Sequence, residues 1–236
     1  MLVCNTHKFI FVHIPKTAGT SVAVSLSQSF KWNDLIIGGT EFGELVQPHY
    51  KSTFGLSKHS SAREIKAIVG TDIWNEYYKF TFVRHPYTRT ISLYTYIQKV
   101  LKVKGLRGYF RFLLGKTHVQ TWQLSQAYLQ TKNFSEFIRH EKFLRSFTTA
   151  SQTNYLIDHK DELDIDFIGK FEDLSKDFAT ISNQVGLESR PLGKSNVSLK
   201  SHKLKKPYLN EADYTYLGKL YAQDFENFTY DLNLRL

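Results

Sequence analysis

A lysine and several small hydroxyl residues near the N-terminus have the types and spacing of an anion-binding turn. The stretch "PKTAGTS", residues 15–21, follows the apolar run "KFIFVHI" and precedes "VAVSLSQSF", which has helical spacing. The first N–H groups of a helix lack intrahelical partners, and the helix dipole places partial positive charge there. Because Lys16 adds a full charge, the turn is predicted to bind a phosphate-like group.

The small residues of this turn have separate expected tasks. Thr17, Thr20 and Ser21 offer hydroxyl donors, and Thr20 or Ser21 is predicted to cap the helix. Ala18 and Gly19 are expected to let the backbone approach a ligand closely. Taken alone, the segment is equally compatible with an ordinary strand-to-helix turn that carries a solvated lysine.

The spacing of the turn differs from that of a Walker A loop. In that motif four residues separate the first glycine from the last, and the Lys-Ser/Thr pair directly follows the last glycine. In this sequence Lys16 precedes Gly19. A P-loop nucleotide kinase is therefore kept only as an alternative.

A second cationic element follows another apolar run. In "FTFVRHPYTRTISLY", Arg84 ends the predicted strand, and Ser92 lies on a helix expected to start near Pro86. In a parallel sheet this element can lie beside the first, with both loops at the carboxyl edge where ligands bind. Arg84 and Ser92 would then hold a second phosphate, for which a forked guanidinium is well suited.

The two elements together resemble known cofactor motifs. "HIPKTAGTS" resembles the 5′-phosphosulfate loop of the carbohydrate-type (family 2) sulfotransferases, and "FVRHPYTRTISLY" resembles their 3′-phosphate element, with Arg84 and Ser92 at matching positions. "FIGKFEDLSKDF" is similar to a later segment of that family. The resemblance implies a P-loop-like fold related to nucleotide kinases, and 3′-phosphoadenosine 5′-phosphosulfate as the donor.

Two further expectations come from this resemblance. Ser198 and Lys200, in the basic stretch "GKSNVSLKSHKLKKPY", match the late cofactor loop of the family and are expected to contact the donor. The sequence departs from the pattern at His85, where family members usually have Asp or Asn. The hydrogen bonding around Arg84 or the following turn is therefore expected to differ.

Sulfuryl transfer to an alcohol needs a base for the hydroxyl proton. His59, in "KHSSAREI" between the two motifs, is the candidate, because the family draws a His or a Glu from that region and an unperturbed histidine titrates near neutrality. Lys16 is the second catalytic candidate, since its charge can stabilise the breaking bond. A solvated loop histidine is the alternative for His59. His49 is a weaker base candidate, and His13 is expected to be structural.

The rest of the chain must supply the elements that position these residues. Apolar, β-rich runs at residues 8–14, 78–85 and 166–171 alternate with helical patterns. This order predicts an α/β fold with a P-loop-like, central and mainly parallel sheet flanked by helices. We see no repeat or linker, so a single sulfotransferase domain over residues 1–236 is predicted.

Two helix starts have clear capping signals. Ser60 or Ser61 is predicted to cap a helix, with Glu64 completing a capping box. Asn210 is predicted to cap the last long helix, whose first turn is acidic.

Composition limits the class of protein and of partner. At 42% hydrophobic residues the chain can bury a core, and its net charge of +9 favours anionic partners. The only cysteine, Cys4, excludes a disulfide framework and a cysteine-based zinc site. The sequence has no apolar stretch of membrane-spanning length, and the Golgi relatives carry an anchor, so a bacterial cytoplasmic enzyme is predicted.

The sequence thus predicts a sulfotransferase that uses 3′-phosphoadenosine 5′-phosphosulfate and needs no metal. Its expected acceptor is a glycan or glycolipid hydroxyl, with no nucleic-acid partner and with peripheral contact to an anionic membrane surface left open. A non-enzymatic binder of polyanions or nucleic acid remains an alternative, because the net charge of +9 alone would suit one.

Overall fold

The computed structural model describes residues 1–113, 119–187, 192 and 207–236, with side chains described outside residues 102–122. The chain divides into two compact units. The first comprises Met1–Arg84 and Gln152–Leu199, and the second comprises His85–Ser151 and Lys200–Leu236. The predicted single domain over residues 1–236 stays a prediction.

A five-stranded sheet organises the first unit. Its strands are β1 Leu2–Cys4, β2 Phe9–Val12, β3 Leu35–Ile36, β4 Tyr78–Val83 and β5 Phe167–Lys170. Their order across the sheet is β3-β1-β2-β4-β5, in which β2 and β4, and β4 and β5, pair in parallel. Because β1 pairs antiparallel with both of its neighbours, it alone runs against the other four strands. The predicted α/β class with a mainly parallel central sheet is confirmed.

Helices of the first unit connect and cover this sheet. They are α1 Gly19–Ser27, α2 Glu41–Phe54, α3 Ala62–Val69, α4 Thr71–Glu76 and α9 Leu174–Gln184. The three predicted strands are confirmed with shorter bounds, whereas the sequence patterns did not predict β1, β3, α2 or α4.

Alternation along the strands gives the sheet two buried faces. One face packs against α1 and α9 and is rich in phenylalanine. The core on this side contains Phe9, Phe11, Phe80 and Phe82 from the strands, and Val22, Leu26, Phe178 and Ile181 from the helices. On the other face Lys79 is buried, and its ammonium group donates to the carbonyls of Trp74 and Tyr77. The same ammonium pairs with Asp166 at 2.9 Å, so this buried charge is compensated.

The second unit is helical in its described residues. Its helices are α5 Pro86–Leu113, α6 Val119–Gln130, α7 Phe134–Arg139, α8 Glu141–Leu144, α10 Glu211–Leu220 and α11 Ala222–Asn227. The core of this unit is largely aromatic and includes Tyr87, Tyr94, Phe137, Phe143, Tyr214 and Phe225. The predicted cap of α10 is confirmed, because Asn210 and Asp213 form a reciprocal capping box. In the described part of the chain, no helix combines the length and apolar character needed to cross a bilayer.

The predicted capping box at α3 is also confirmed. The side chain of Ser61 accepts from the backbone N–H of Glu64, and the Glu64 carboxylate accepts from the backbone N–H of Ser61 at 2.7 Å. Two helix-end donors are therefore satisfied within four residues. The box fixes the N-cap of α3, Ser61, two residues after His59.

We expect Ser61→Ala to lower the free energy of unfolding by about 1 kcal/mol, because the helix loses its side-chain cap. Urea denaturation followed by circular dichroism measures this change. Ser52→Ala is the matched control, since Ser52 is an exposed residue within α2; its effect should stay within about 0.5 kcal/mol. Equal effects of the two substitutions would contradict a stabilising role for the box.

Candidate functional site

The turn between β2 and α1 has an unusual backbone. Lys16 and Ala18 have positive φ angles of 70° and 67°, a conformation that non-glycine residues rarely adopt. Such strain persists mainly where the surroundings enforce it, often at ligand sites, and turns with left-handed residues can form anion-binding concavities of N–H groups. This backbone supports the predicted anion site more directly than the sequence did.

The start of α1 corrects the predicted helix cap. The helix begins at Gly19, and its N-cap is Ala18 rather than Thr20 or Ser21. Ala18 has no side-chain acceptor, so the N-cap residue provides no side-chain cap. The N–H of Ser21 already donates to the Ala18 carbonyl at 2.9 Å, so an acceptor from outside the chain would bind the amides of Gly19 and Thr20.

The glycine of the turn makes room for the ring of His13. A Cβ atom at Gly19 would lie 2.1 Å from Cδ2 and 2.2 Å from Nε2 of His13. Gly19 does not have a positive φ, so conformational freedom is not the reason for this residue either. Gly19 therefore leaves room for the His13 ring, and its predicted close approach to a ligand stays a prediction.

The hydroxyl residues of the turn differ in what they can offer. Thr17 is fully buried, and its hydroxyl donates to the carbonyl of Ile14 at 3.0 Å. Thr17 therefore closes the turn and does not present a hydroxyl donor, contrary to its expected task. Thr20 and Ser21, on the first turn of α1, are partly exposed. Lys16, in the loop before the helix, is also partly exposed.

Arg84 lies beside this turn, as the parallel arrangement predicted. The register pairs Val12 with Thr81, so β2 and β4 end at the same edge of the sheet. The guanidinium Nη1 of Arg84 lies 3.4 Å from the carbonyl oxygen of Lys16, to which it donates. The two predicted cationic elements therefore converge within the first unit.

Two residues that the sequence patterns missed hold Arg84 in place. The side-chain amide of Gln152 accepts from the backbone N–H of Arg84 at 2.9 Å and donates to its carbonyl at 2.8 Å. The guanidinium carbon lies 3.9 Å from the ring centroid of Phe171, directly after β5. The position of Phe171 at the end of a predicted strand was a usable signal, but nothing local marks Gln152.

His59 lies close to the same turn. Its Nδ1 atom is 2.7 Å from the carbonyl oxygen of His13, and the two rings meet edge to face with centroids 4.7 Å apart. Because a carbonyl only accepts, Nδ1 of His59 must carry the proton. The neutral ring then has its lone pair on Nε2, for which no hydrogen-bond partner is found among the described residues.

The pKa of His59 corrects a second expectation. Burial lowers it from 6.5 to about 3, with the hydrogen bond to His13 opposing the shift and the positive charge of Lys58 adding to it. The pKa of His13 is also well below its usual value, because of burial first and of His59 second. His59 is therefore neutral throughout the neutral pH range and does not titrate there in this structure.

His85 has a structural role within the second unit. Its ring is buried against Tyr87, Phe225 and Tyr230. Nδ1 accepts from the backbone N–H of Tyr87 at 3.3 Å, and Nε2 donates to the carbonyl of Asp231 at 3.0 Å. The imidazole thus caps the start of α5 as an Asp or Asn side chain would.

The remaining predicted site residues are placed as follows. Ser92 lies on α5 in the second unit and is partly exposed. Ser198 and Lys200 lie outside the described residues. Their contact with a donor stays a prediction.

Comparison with known proteins gives one match. A family model described as "Sulfotransferase family" matches residues 1–231 of the 236 residues. No curated protein and no solved structure matches the chain. The matched range includes the turn at Lys16, together with His59 and Arg84.

The neutral His59 predicts an acid-sensitive fold. The unfolded chain takes up a proton near pH 6.5, whereas the folded chain resists protonation of this ring down to about pH 3. The free energy of unfolding therefore falls as the pH decreases from 6.5 toward 3, and this histidine makes no contribution above pH 6.5. At pH 5 its effect should be about 2 kcal/mol.

We expect His59→Gln, which can still donate to the His13 carbonyl, to lose less stability than the wild type between pH 7 and pH 5. Urea denaturation at both pH values gives this difference. His159→Gln, an exposed histidine, serves as control and should follow the wild type. Identical pH dependence in His59→Gln and the wild type would contradict the lowered pKa of His59.

Proposed function

We propose that this chain, which belongs to the sulfotransferase family, moves a sulfuryl group from 3′-phosphoadenosine 5′-phosphosulfate to a hydroxyl group of a glycan or glycolipid. Sulfuryl transfer is the reaction of that family, and the match covers residues 1–231. The observation that best supports a donor with two separate anionic groups is the approach of Arg84 to the carbonyl of Lys16, at 3.4 Å.

The turn suits the phosphosulfate end of this donor. Its helix start lacks a side-chain cap, and the Lys16 side chain is partly exposed beside it. Amide dipoles and a lysine charge that are already in place stabilise negative charge without reorganisation. When bound, the donor supplies an activated sulfuryl group, and the task of Lys16 would be to stabilise charge on the leaving phosphate.

Arg84 suits the 3′-phosphate of the donor. The planar guanidinium can form forked hydrogen bonds to phosphate oxygens, and stacking on Phe171 fixes its plane. Ser92 would add a hydroxyl donor, as the resemblance of its segment to the 3′-phosphate element implies. The donor would thus be bound at both phosphorylated positions of its adenosine, the 5′ position by the turn and the 3′ position by Arg84 and Ser92.

His59 suits the role of general base. The His13 carbonyl holds the proton on Nδ1, so the lone pair on Nε2 can accept the proton of an acceptor hydroxyl. A pKa of about 3 makes this a weak base in the chain alone. The negative charge of a bound donor would raise that pKa and strengthen the base.

The acceptor class rests on resemblance alone. The carbohydrate-type members act on glycans, and a net charge of +9 is compatible with an anionic acceptor or with an anionic membrane surface nearby. A metal-independent reaction, a bacterial cytoplasmic location and the absence of a nucleic-acid partner stay predictions.

We expect adenosine 3′,5′-bisphosphate to raise the melting temperature, because a ligand selective for the folded state stabilises it by mass action. Thermal melts with this nucleotide, AMP, and ATP with magnesium are the measurement. Transfer of labelled sulfate from the donor to a library of hydroxylated glycans then identifies the acceptor.

The melts also separate the competing functions. A larger shift with ATP and magnesium than with the bisphosphate would favour a nucleotide kinase. No shift with any nucleotide, combined with strongly salt-dependent binding to polyanions, would favour a non-enzymatic binder.

We expect His59→Gln to lower turnover about 100- to 10,000-fold, because glutamine cannot accept the hydroxyl proton. Affinity for the bisphosphate should change less than about twofold, since the imidazole need not touch the nucleotide. Steady-state kinetics and calorimetry give both values, with His159→Gln as the control. Near-normal turnover in His59→Gln would exclude His59 as the base, and His49→Gln would then be the next variant to measure.

A further inference from the structure

We propose that Gln152 and Phe171 are positioning residues that set the direction of the Arg84 guanidinium, so that their loss weakens recognition of a 3′-phosphate and spares the rest of the nucleotide. This inference rests on the proposed function for the identity of the ligand. The arrangement of the three residues is independent of it.

Gln152 pairs with Arg84 as a neighbouring strand would. Its amide oxygen accepts from the N–H of Arg84, and its amide nitrogen donates to the carbonyl of the same residue. Both backbone polar groups of the residue after β4 are therefore bonded to one side chain that lies 68 positions away in the sequence. This pairing fixes the backbone at the point where Arg84 leaves the sheet.

The location of Gln152 makes this clamp rigid. The side chain is completely buried, and its backbone carbonyl accepts from Tyr155 in a short 3-10 helix whose Thr153 and Tyr155 are also buried. A buried amide that lost its partners would carry a desolvation penalty, so alternative orientations are disfavoured. Because Gln152 is held in a buried segment, its two hydrogen bonds hold the backbone of Arg84 in one position.

Phe171 fixes the other end of the same side chain. The register pairs Val83 with Lys170, which places the residues that follow these two, Arg84 and Phe171, at the same edge of the sheet. The guanidinium stacks over the ring at 3.9 Å and reaches the Lys16 carbonyl at 3.4 Å. Backbone clamp and ring together leave the long arginine side chain few orientations.

Pre-organisation of this kind affects binding through a single group. An arginine held in the orientation required by its phosphate loses little conformational freedom on binding. Removing the clamp should therefore weaken the contact that Arg84 makes and no other. A purely structural role of Gln152 would instead affect every nucleotide alike.

The test compares adenosine 3′,5′-bisphosphate with AMP, which lacks the 3′-phosphate. Calorimetry on the full chain should show that Arg84→Ala lowers the affinity for the bisphosphate about 10- to 100-fold, as expected for a lost charged hydrogen bond. Gln152→Met should lower the affinity for the bisphosphate about tenfold, within the range of coupling energies for residues of one network. Affinity for AMP should change less than about twofold in both variants.

The double variant tests whether the two residues act through one contact. Arg84→Ala with Gln152→Met should bind the bisphosphate as Arg84→Ala does, because the clamp has no effect once the guanidinium is gone. Gln98→Met is the matched control, since Gln98 is another buried glutamine and lies on α5. It should leave the ratio of the two affinities unchanged.

Two further variants keep the test valid if Gln152→Met folds poorly. Gln152→Glu keeps the acceptor for the Arg84 N–H but loses the donor to its carbonyl, and it should show the same selective weakening. Phe171→Leu removes the stacking ring, whereas Phe171→Tyr retains it and should restore the affinity. Circular dichroism melts verify the fold of each variant.

A nuclear magnetic resonance signal reports on Arg84 without any nucleotide. The Nε–H resonance of Arg84 should be shifted by the ring current of Phe171 in the wild type and should move toward the free-arginine position in Phe171→Leu and Gln152→Met. If the wild type binds neither nucleotide, the donor assignment is wrong and this signal alone decides the positioning role. Three outcomes would overturn the proposal. They are an unchanged Arg84 resonance in Gln152→Met, an equal loss of affinity for AMP and for the bisphosphate, and additive effects on affinity in the double variant.

Discussion

The parallel pairing of three strands is the constraint on which the candidate site depends. Because β2, β4 and β5 are adjacent and run in the same direction, the residues that follow them emerge at one edge of the sheet. Three distant parts of the sequence meet there: the turn at Lys16, Arg84 and Phe171. A strand reversed at either β4 or β5 would place its following residue at the opposite edge.

A second coupling joins the turn to the candidate base. The ring of His13 occupies the space that a side chain on Gly19 would need, and its backbone carbonyl fixes the proton of His59. One residue directly after β2 therefore contacts both the first residue of α1 and the imidazole of the candidate base. A change in the backbone at His13 would therefore alter the candidate anion site and the candidate base together.

Local patterns predicted the parts of the fold that local physics determines. The three apolar runs became strands, and the capping boxes at Ser61 and Asn210 formed, because their partners lie within a few residues. The cap of α1 was wrong, since the left-handed conformation of Ala18 displaced the serine and threonine signals. That conformation depends on packing around the turn, which no pattern in "PKTAGTS" encodes.

The two cations and the base of the candidate site were predicted, but the contacts that orient them were not. Lys16, Arg84 and His59 were recognisable from motif and resemblance, whereas the bonds from Gln152 to Arg84 span 68 residues and have no sequence signature. The role of His85 also became clear only from geometry, because an imidazole that caps a helix replaces the expected carboxylate or amide. Residue types indicate chemistry, and the long-range packing that fixes their direction follows from the fold.

Under the proposed function, the low basicity of His59 would give the site an order of events. In the chain alone, burial and the charge of Lys58 keep the imidazole neutral, with a pKa of about 3, so it has little tendency to remove a proton from an alcohol. An anionic donor bound at the neighbouring turn would counter both effects, since negative charge favours the imidazolium. The base would then gain strength only when the sulfuryl donor is in place, and the acceptor hydroxyl would be activated in the complex that can use it. The same charge that Lys16 and the amides of α1 attract would thus control the proton transfer at His59.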